Sequence, residues 1–161
     1  MMLKAFLGAF LAAIAVMPAH AEDPDFLAVG GGWFDVVHQD DTAVEARAEY
    51  RSGFRFWIFK PLAGVMATTD GSVHAYAGVL SDFYFGRRLV ISPSVAPGYY
   101  HEGSGKDLGS AFEIRSQLEV AYRFDDRSRL GMAFSHISNA GVGDTNPGAE
   151  SVTLYYSFPL H

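Results

Sequence analysis

Charged and apolar side chains alternate along residues 42–51, and this alternation constrains the fold more than any other feature of the sequence. The even positions from Val44 to Tyr50 are apolar or aromatic, and the odd positions from Glu45 to Arg51 carry charges of alternating sign. A side-chain period of two is the pattern of a β-strand. Residues 110–124 repeat it, and no sustained helical period follows residue 21. The sequence therefore predicts an all-β protein.

Turn signals divide the rest of the chain into similar segments. The eight predicted strands are 26–37, 42–51, 54–69, 73–83, 89–99, 110–124, 129–137 and 151–160. Strands of about ten residues can cross a bilayer when tilted, and bacterial outer-membrane barrels have an even number of strands with short periplasmic turns. The two longest connections, 100–109 and 139–149, fall on the side opposite the termini. We therefore predict an eight-stranded antiparallel transmembrane β-barrel.

Two predicted strands carry local interruptions. The run Gly30-Gly31-Gly32 in the first strand favours close approach of another backbone or a large side chain, because glycine otherwise weakens a strand. Pro61 in the third strand predicts a bulge or a frayed position, because proline cannot donate to the sheet.

The first 21 residues have the pattern of a secretory signal. Lys4 precedes an apolar run that is too short for a membrane helix, and Ala19-His20-Ala21 provides a small-x-small cleavage site. Residues 22–161 are then one barrel domain. The chain has no cysteine, a net charge of −6 and no basic run, so disulfides are excluded and nucleic acid is not an expected partner.

Alternation alone does not decide which face of the barrel is inside. A soluble lipocalin-like carrier would turn its apolar face inward, and Gly31-Gly32-Trp33 is faintly similar to the first strand of that family. The opposite assignment places the charged residues of 42–51 and 110–124 inside and the apolar ones against lipid. The aromatic, alternating final strand and the secretory signal favour the membrane assignment, with localisation in the outer membrane of a Gram-negative cell.

The segment 134–160 contains the candidate catalytic residues. His136 and Ser138 lie two residues apart, so they project from the same strand face, and Glu150 precedes the next predicted strand. All three continue the apolar faces of their strands. In the catalytic interpretation Ser138 attacks an ester, His136 moves the proton and Glu150 orients the imidazole. The candidate oxyanion donors are Asn139, Asn146 and backbone amides near Gly141 and Gly143.

A purely structural interpretation stands beside the catalytic one. His136, Ser138 and Asn139 are also ordinary residues where a strand leaves a membrane, and the segment 146–148 reads as a turn. The remaining histidines of the mature chain show no ligand spacing, so no metal site is predicted; they are His38, His74, His101 and His161.

The motif SHISNAG…NPGAE resembles the His-x-Ser-Asn-Ala-Gly…Asn-x-Gly-x-Glu signature of the lipid A 3-O-deacylase (PagL-type) family of Gram-negative outer membranes. By position, His136, Ser138 and Glu150 match the family triad. Asn146 matches a residue linked to substrate or oxyanion binding, and Gly141 a backbone donor. The resemblance implies an eight-stranded barrel whose exterior site hydrolyses the ester-linked 3-hydroxyacyl chain at position 3 of lipid A, without metal or cofactor.

Three other functions stay open at the level of sequence. A non-catalytic outer-membrane barrel would have a structural or adhesive role, a soluble carrier would bind a ligand inside, and an acyltransferase would use the same serine with a second alcohol. The sequence also leaves a homodimer open.

Overall fold

The computed structural model describes residues 23–161. The predicted signal peptide lies outside the described residues. The strands, as observed, are β1 (Asp25–Phe34), β2 (Ala43–Arg51), β3 (Lys60–Thr68), β4 (Val73–Leu80), β5 (Phe83–Phe85), β6 (Leu89–His101), β7 (Phe112–Arg123), β8 (Arg129–Ser138) and β9 (Ala149–Leu160). Within residues 23–161, no helix is long and apolar enough to cross a membrane.

The strands close into an antiparallel barrel. They are hydrogen-bonded in the order β4-β3-β2-β1-β9-β8-β7-β6-β5, and pairing of β4 with β6 closes the sheet. The short β5 pairs with the start of β6, and β4 pairs with its later part. Together β4 and β5 form one barrel strand interrupted at residues 81–82. The prediction of an eight-stranded antiparallel barrel is therefore confirmed.

Several predicted strand boundaries are wrong. The third strand begins at Lys60 rather than at residue 54, and the segment 54–59, predicted as strand, contains a small hairpin closed by a Phe56–Phe59 bridge. Trp57 has a φ of 57°, which no regular strand accommodates. Pro61 causes no break, because it is the second residue of β3 and its carbonyl accepts from the Ser52 amide. The last strand begins at Ala149, two residues earlier than predicted.

The charged faces of β2 and β7 point into the barrel. Every acidic or basic residue from position 45 to 51 of β2 and from position 113 to 119 of β7 is at most 5% exposed. Arg47 pairs with Glu45 at 2.8 Å, and Arg51 pairs with Glu49 at 2.9 Å and with Glu119 at 2.7 Å. The apolar residues of the same strands face outward. The arrangement with charged residues inside and apolar residues outside is thus the observed one, and the lipocalin-like arrangement is wrong.

Two of the three glycines of β1, Gly30 and Gly32, lie in close contact with β9. A Cβ on Gly30 would lie 2.8 Å from the Tyr155 ring, and one on Gly32 would lie 1.9 Å from the Val152 carbonyl oxygen. The predicted close approach of a large side chain and a backbone is confirmed. This contact fixes β9, the strand that carries Glu150, against the first strand of the barrel.

Candidate active site

His136 and Glu150 face each other across neighbouring strands. The register of β8 and β9 pairs them directly, and both side chains lie on the outer face, in line with Phe134 and Val152. Opposed residues of an antiparallel pair have Cβ atoms about 4.5–5.5 Å apart, which lets their side chains interact. His136 Nδ1 lies 2.8 Å from Glu150 Oε1. The sequence left this register undetermined, and the structure brings the two groups together.

The Glu150 carboxylate selects the tautomer of His136. An ionised carboxylate only accepts hydrogen bonds, so the imidazole donates through Nδ1–H and leaves the Nε2 lone pair free to take a proton. The His136 side chain is 45% exposed and that of Glu150 is 13% exposed. The pair therefore lies at the protein surface with its carboxylate sheltered, as an orienting group requires.

Ser138 is the last residue of β8 and lies on the same face as His136. Its side chain is half-buried, and among residues 23–161 its hydroxyl has no hydrogen-bond partner. Catalytic hydrogen bonds often tighten only when substrate is bound. A second hydroxyl is also near: Ser116 of β7 is exposed and pairs directly with His136 on its other side. Sequence reasoning missed Ser116, because it belongs to a different hairpin.

Asn139 and Gly141 hold the last loop together. Asn139 is fully buried; its Nδ2 donates to the Leu108 carbonyl at 3.0 Å and to the Thr145 carbonyl at 2.7 Å, and its Oδ1 accepts from the Gly141 amide at 2.9 Å. Two of the predicted oxyanion donors, the Asn139 side chain and the Gly141 amide, are therefore already engaged within the protein. Asn139 follows the last residue of β8, and its side chain is held in the interior by the Leu108 and Thr145 carbonyls, whereas Ser138 lies on the outer face.

Asn146 lies on the exposed surface of the last loop. Its Oδ1 accepts from the Asn139 amide at 3.0 Å, and this contact defines which end of its side-chain amide is oxygen. The residue is exposed, and its Nδ2 makes no hydrogen bond within the described chain. Among the predicted side-chain donors, Asn146 is thus the one with hydrogens available to a substrate.

Gly148 lies next to the His136 ring. It is buried, has a φ of 65°, and a Cβ at this position would lie 2.9 Å from His136 Cε1. A side chain here would displace the imidazole, so the glycine leaves the space in which the ring lies.

His38 is a further residue at the site that sequence reasoning missed. It follows β1, and its Nδ1 lies 3.2 Å from Glu150 Oε2. The prediction grouped it with scattered histidines, because 112 residues separate it from Glu150. The β1–β9 pairing brings the two together.

Asp35, His38 and Glu150 have potential ligand atoms within 4.8 Å of one another. However, Asp35 is fully buried and already accepts from Lys106 Nζ at 2.7 Å and from the amides of Asp40 and Asp41 at 3.0 Å each. Burial alone would raise the pKa of the Asp35 carboxyl, but these hydrogen bonds and the Lys106 charge lower it below its usual value. With its oxygens bonded and an ammonium beside it, Asp35 is poorly suited to bind a cation.

Comparisons with known proteins agree with the geometry. Residues 26–159 match the family model described as "Lipid A 3-O-deacylase (PagL)". The chain is 30% identical over 78 residues to the lipid A deacylase PagL of Bordetella bronchiseptica and 31% identical over 55 residues to that of Pseudomonas aeruginosa. These alignments cover 47% and 34% of this chain, and only 44% and 32% of the relatives' own lengths.

A solved structure has the same barrel. The crystal structure of the outer membrane enzyme PagL superimposes with a TM-score of 0.64 at 18% identity, over 84% of this chain and 99% of that one. That likeness supports the fold. Because the family model covers nearly the whole described barrel, including the paired His136 and Glu150, the chain belongs to the lipid A 3-O-deacylase (PagL) family.

Proposed function

We propose that this protein is an outer-membrane serine esterase that hydrolyses the ester-linked 3-hydroxyacyl chain at position 3 of lipid A. Family membership supports the substrate and the reaction. The observation that carries the site assignment is the 2.8 Å contact of His136 with Glu150 on the outer face, with Ser138 next on the same strand face. A homodimer stays a prediction.

The proposed reaction proceeds through an acyl-enzyme. Ser138 Oγ attacks the ester carbonyl while His136 Nε2 takes the hydroxyl proton, and Glu150 stabilises the resulting imidazolium. The Asn146 amide is the proposed donor to the oxyanion. Collapse breaks the bond to the alcohol oxygen of lipid A, which leaves with the proton from His136. Water then attacks the acyl-enzyme by the same route, releasing a 3-hydroxy fatty acid and restoring Ser138.

The surface beside the site suits an acyl chain. Below His136 on β8 the outward residues are Phe134 and Met132, which are 49% and 60% exposed; on β9 Leu154 is 53% exposed. An apolar face of this kind is stable in lipid rather than in water. The catalytic groups lie at its end, next to the loop 139–148, so we place them at the level of the outer leaflet.

Mass spectrometry of lipid A tests this function. A Gram-negative host that lacks its own deacylase would express the wild type or Ser138→Ala, and the presence of folded barrel in the outer membrane would be checked for both. We expect lipid A to lose one 3-hydroxyacyl group only with the wild type, with free 3-hydroxy fatty acid appearing. Unchanged lipid A with correctly inserted wild type would contradict the proposal. Transfer of the 3-hydroxyacyl group to another lipid would indicate an acyltransferase.

Replacing Gly148 with alanine is expected to lower the deacylation rate by about 100-fold. The new methyl group would displace the His136 ring, and misplacement of a catalytic group by about 1 Å can cost this much. Gly86→Ala is the matched control, because Gly86 has a φ of 66° and open space around its Cβ position. Both substitutions place a side chain on a backbone with positive φ, but only Gly148→Ala brings the new methyl group against the His136 ring. Equal activities, measured on detergent-solubilised protein, would show that ring displacement has no role.

A further inference from the structure

We propose that His38 is a positioning residue of this site, which holds the Glu150 carboxylate in place for His136. Glu150 would then bridge two imidazoles, one on each carboxylate oxygen. The inference rests on the proposed function, because it assigns His38 a part in the same reaction. Neither the sequence motif nor the family signature quoted above includes this residue.

The contacts of Glu150 divide evenly between its two oxygens. Oε1 lies 2.8 Å from His136 Nδ1, and Oε2 lies 3.2 Å from His38 Nδ1. Since an ionised carboxylate accepts but does not donate, both imidazoles present Nδ1–H to it. The terminal torsion of a glutamate has a broad energy profile, so a single hydrogen bond leaves the carboxylate free to rotate. A second donor on the other oxygen fixes its plane.

The turn that carries His38 is fastened to the barrel on both sides. The Val36 amide donates to the Glu150 carbonyl oxygen at 3.0 Å, which joins the turn to the residue that His38 contacts. Asp35 is buried and paired with Lys106 at 2.7 Å. The Gln39 amide donates to the Asp35 carbonyl at 3.1 Å. His38 therefore projects from an anchored backbone, although its own side chain is 50% exposed.

His38 acts through Glu150 and not on the substrate. Its hydrogen bond within the described chain is to Glu150, and Ser138 lies on β8, beyond His136. The acidic groups near its ring are Glu150 and Asp35, and Asp35 is already neutralised by Lys106. A neutral donor suffices for the proposed task, because what positions the carboxylate is the N–H and not a positive charge.

The first test compares His38→Ala with His38→Asn in steady-state deacylation by the purified full-length protein. We expect alanine to lower kcat about three- to tenfold with KM unchanged, since the net contribution of one hydrogen bond is on this scale. Asparagine can place an amide N–H near the position of Nδ1, so it should restore kcat to within about twofold of the wild type. His101→Ala, a change of an exposed histidine at the end of β6, is the control and should have no effect.

The second test is a double-mutant cycle with Glu150. If His38 acts through the carboxylate, adding His38→Ala to Glu150→Ala should lower kcat no further. Independent, multiplying effects would overturn the proposal, as would a wild-type kcat in His38→Ala. A loss of wild-type activity in a chelator would also overturn it, by pointing to a metal at Asp35, His38 and Glu150. Absence of activity in wild type itself would instead contradict the proposed function.

Discussion

Replacing Ser138 with alanine is expected to lower the rate of lipid A deacylation by at least about 10⁴-fold. The change removes the proposed nucleophile, and loss of the serine of a triad eliminates the covalent route while leaving binding and the oxyanion donors. Ser138 has no hydrogen-bond partner among the described residues and lies at the end of a strand. The barrel should therefore assemble normally, which migration of unheated protein on gels would check.

The matched control for this variant is Ser116→Ala. Ser116 is exposed and lies opposite His136 on β7, so it offers the same imidazole a hydroxyl from the other side. We expect Ser116→Ala to keep wild-type activity. The opposite result, with Ser116→Ala inactive and Ser138→Ala active, would make Ser116 the nucleophile and would contradict the assignment taken from the motif.

Alanine substitutions of the two other triad residues, His136 and Glu150, should lower the deacylation rate to different extents. His136→Ala is expected to match Ser138→Ala, and the double variant should be no worse, because residues that act as one unit are not additive. Glu150→Ala should retain about 10 to 100 times more activity than either, since the carboxylate only orients and stabilises the imidazole. Rate measurements on all four proteins under saturating substrate would test this order.

Local sequence patterns separated the two faces of the barrel wall, the final strand and the secretory signal indicated which face is inside, and not every strand was predicted correctly. The alternation from Val44 to Arg51 identifies both faces, and the structure places Glu45 and Glu49 inside as expected. The prediction for the segment 54–59 was wrong because its aromatic residues are also typical of a strand. Its reversal depends on Trp57 at φ 57° and on the Phe56–Phe59 bridge, which no periodicity reveals.

The sequence predicted those residues of the candidate site that lie close together in the chain. His136 and Ser138 share a face by their spacing, and Glu150 needed only the register of one hairpin. The prediction of Asn139 as an oxyanion donor was wrong. Its odd-numbered position, next to Ser138, already indicated a side chain on the inner face, where the structure buries it. His38 lies in the turn after β1 and reaches Glu150 because β1 pairs with β9, far away in the sequence. Ser116 lies on β7, and the register of the β7–β8 hairpin places it opposite His136. Strand register and the pairing of strands distant in the sequence are the parts that local patterns in a single sequence do not reveal.

Replacing Glu49 with alanine is expected to destabilise the barrel by about 3–5 kcal/mol. Its carboxylate pairs with Arg51 at 2.9 Å and Arg115 at 3.3 Å and accepts from the hydroxyls of Tyr76 and Tyr155 at 2.7 and 3.1 Å. Removing it leaves two buried guanidinium groups short of a counter-ion, and breaking a buried pair in this way costs about that much. Urea unfolding in detergent micelles would measure the change.

Glu102→Ala is the control for Glu49, because Glu102 is exposed on the loop after β6 and its removal should change stability by less than about 0.5 kcal/mol. Similar stabilities of the two variants would show that the interior charges do not hold the barrel together. The expected outcome has a functional consequence. The Glu49 side chain points inward from β2, whereas His136 and Glu150 lie on the outer face. Glu49→Ala should therefore lose activity only in proportion to the unfolded fraction.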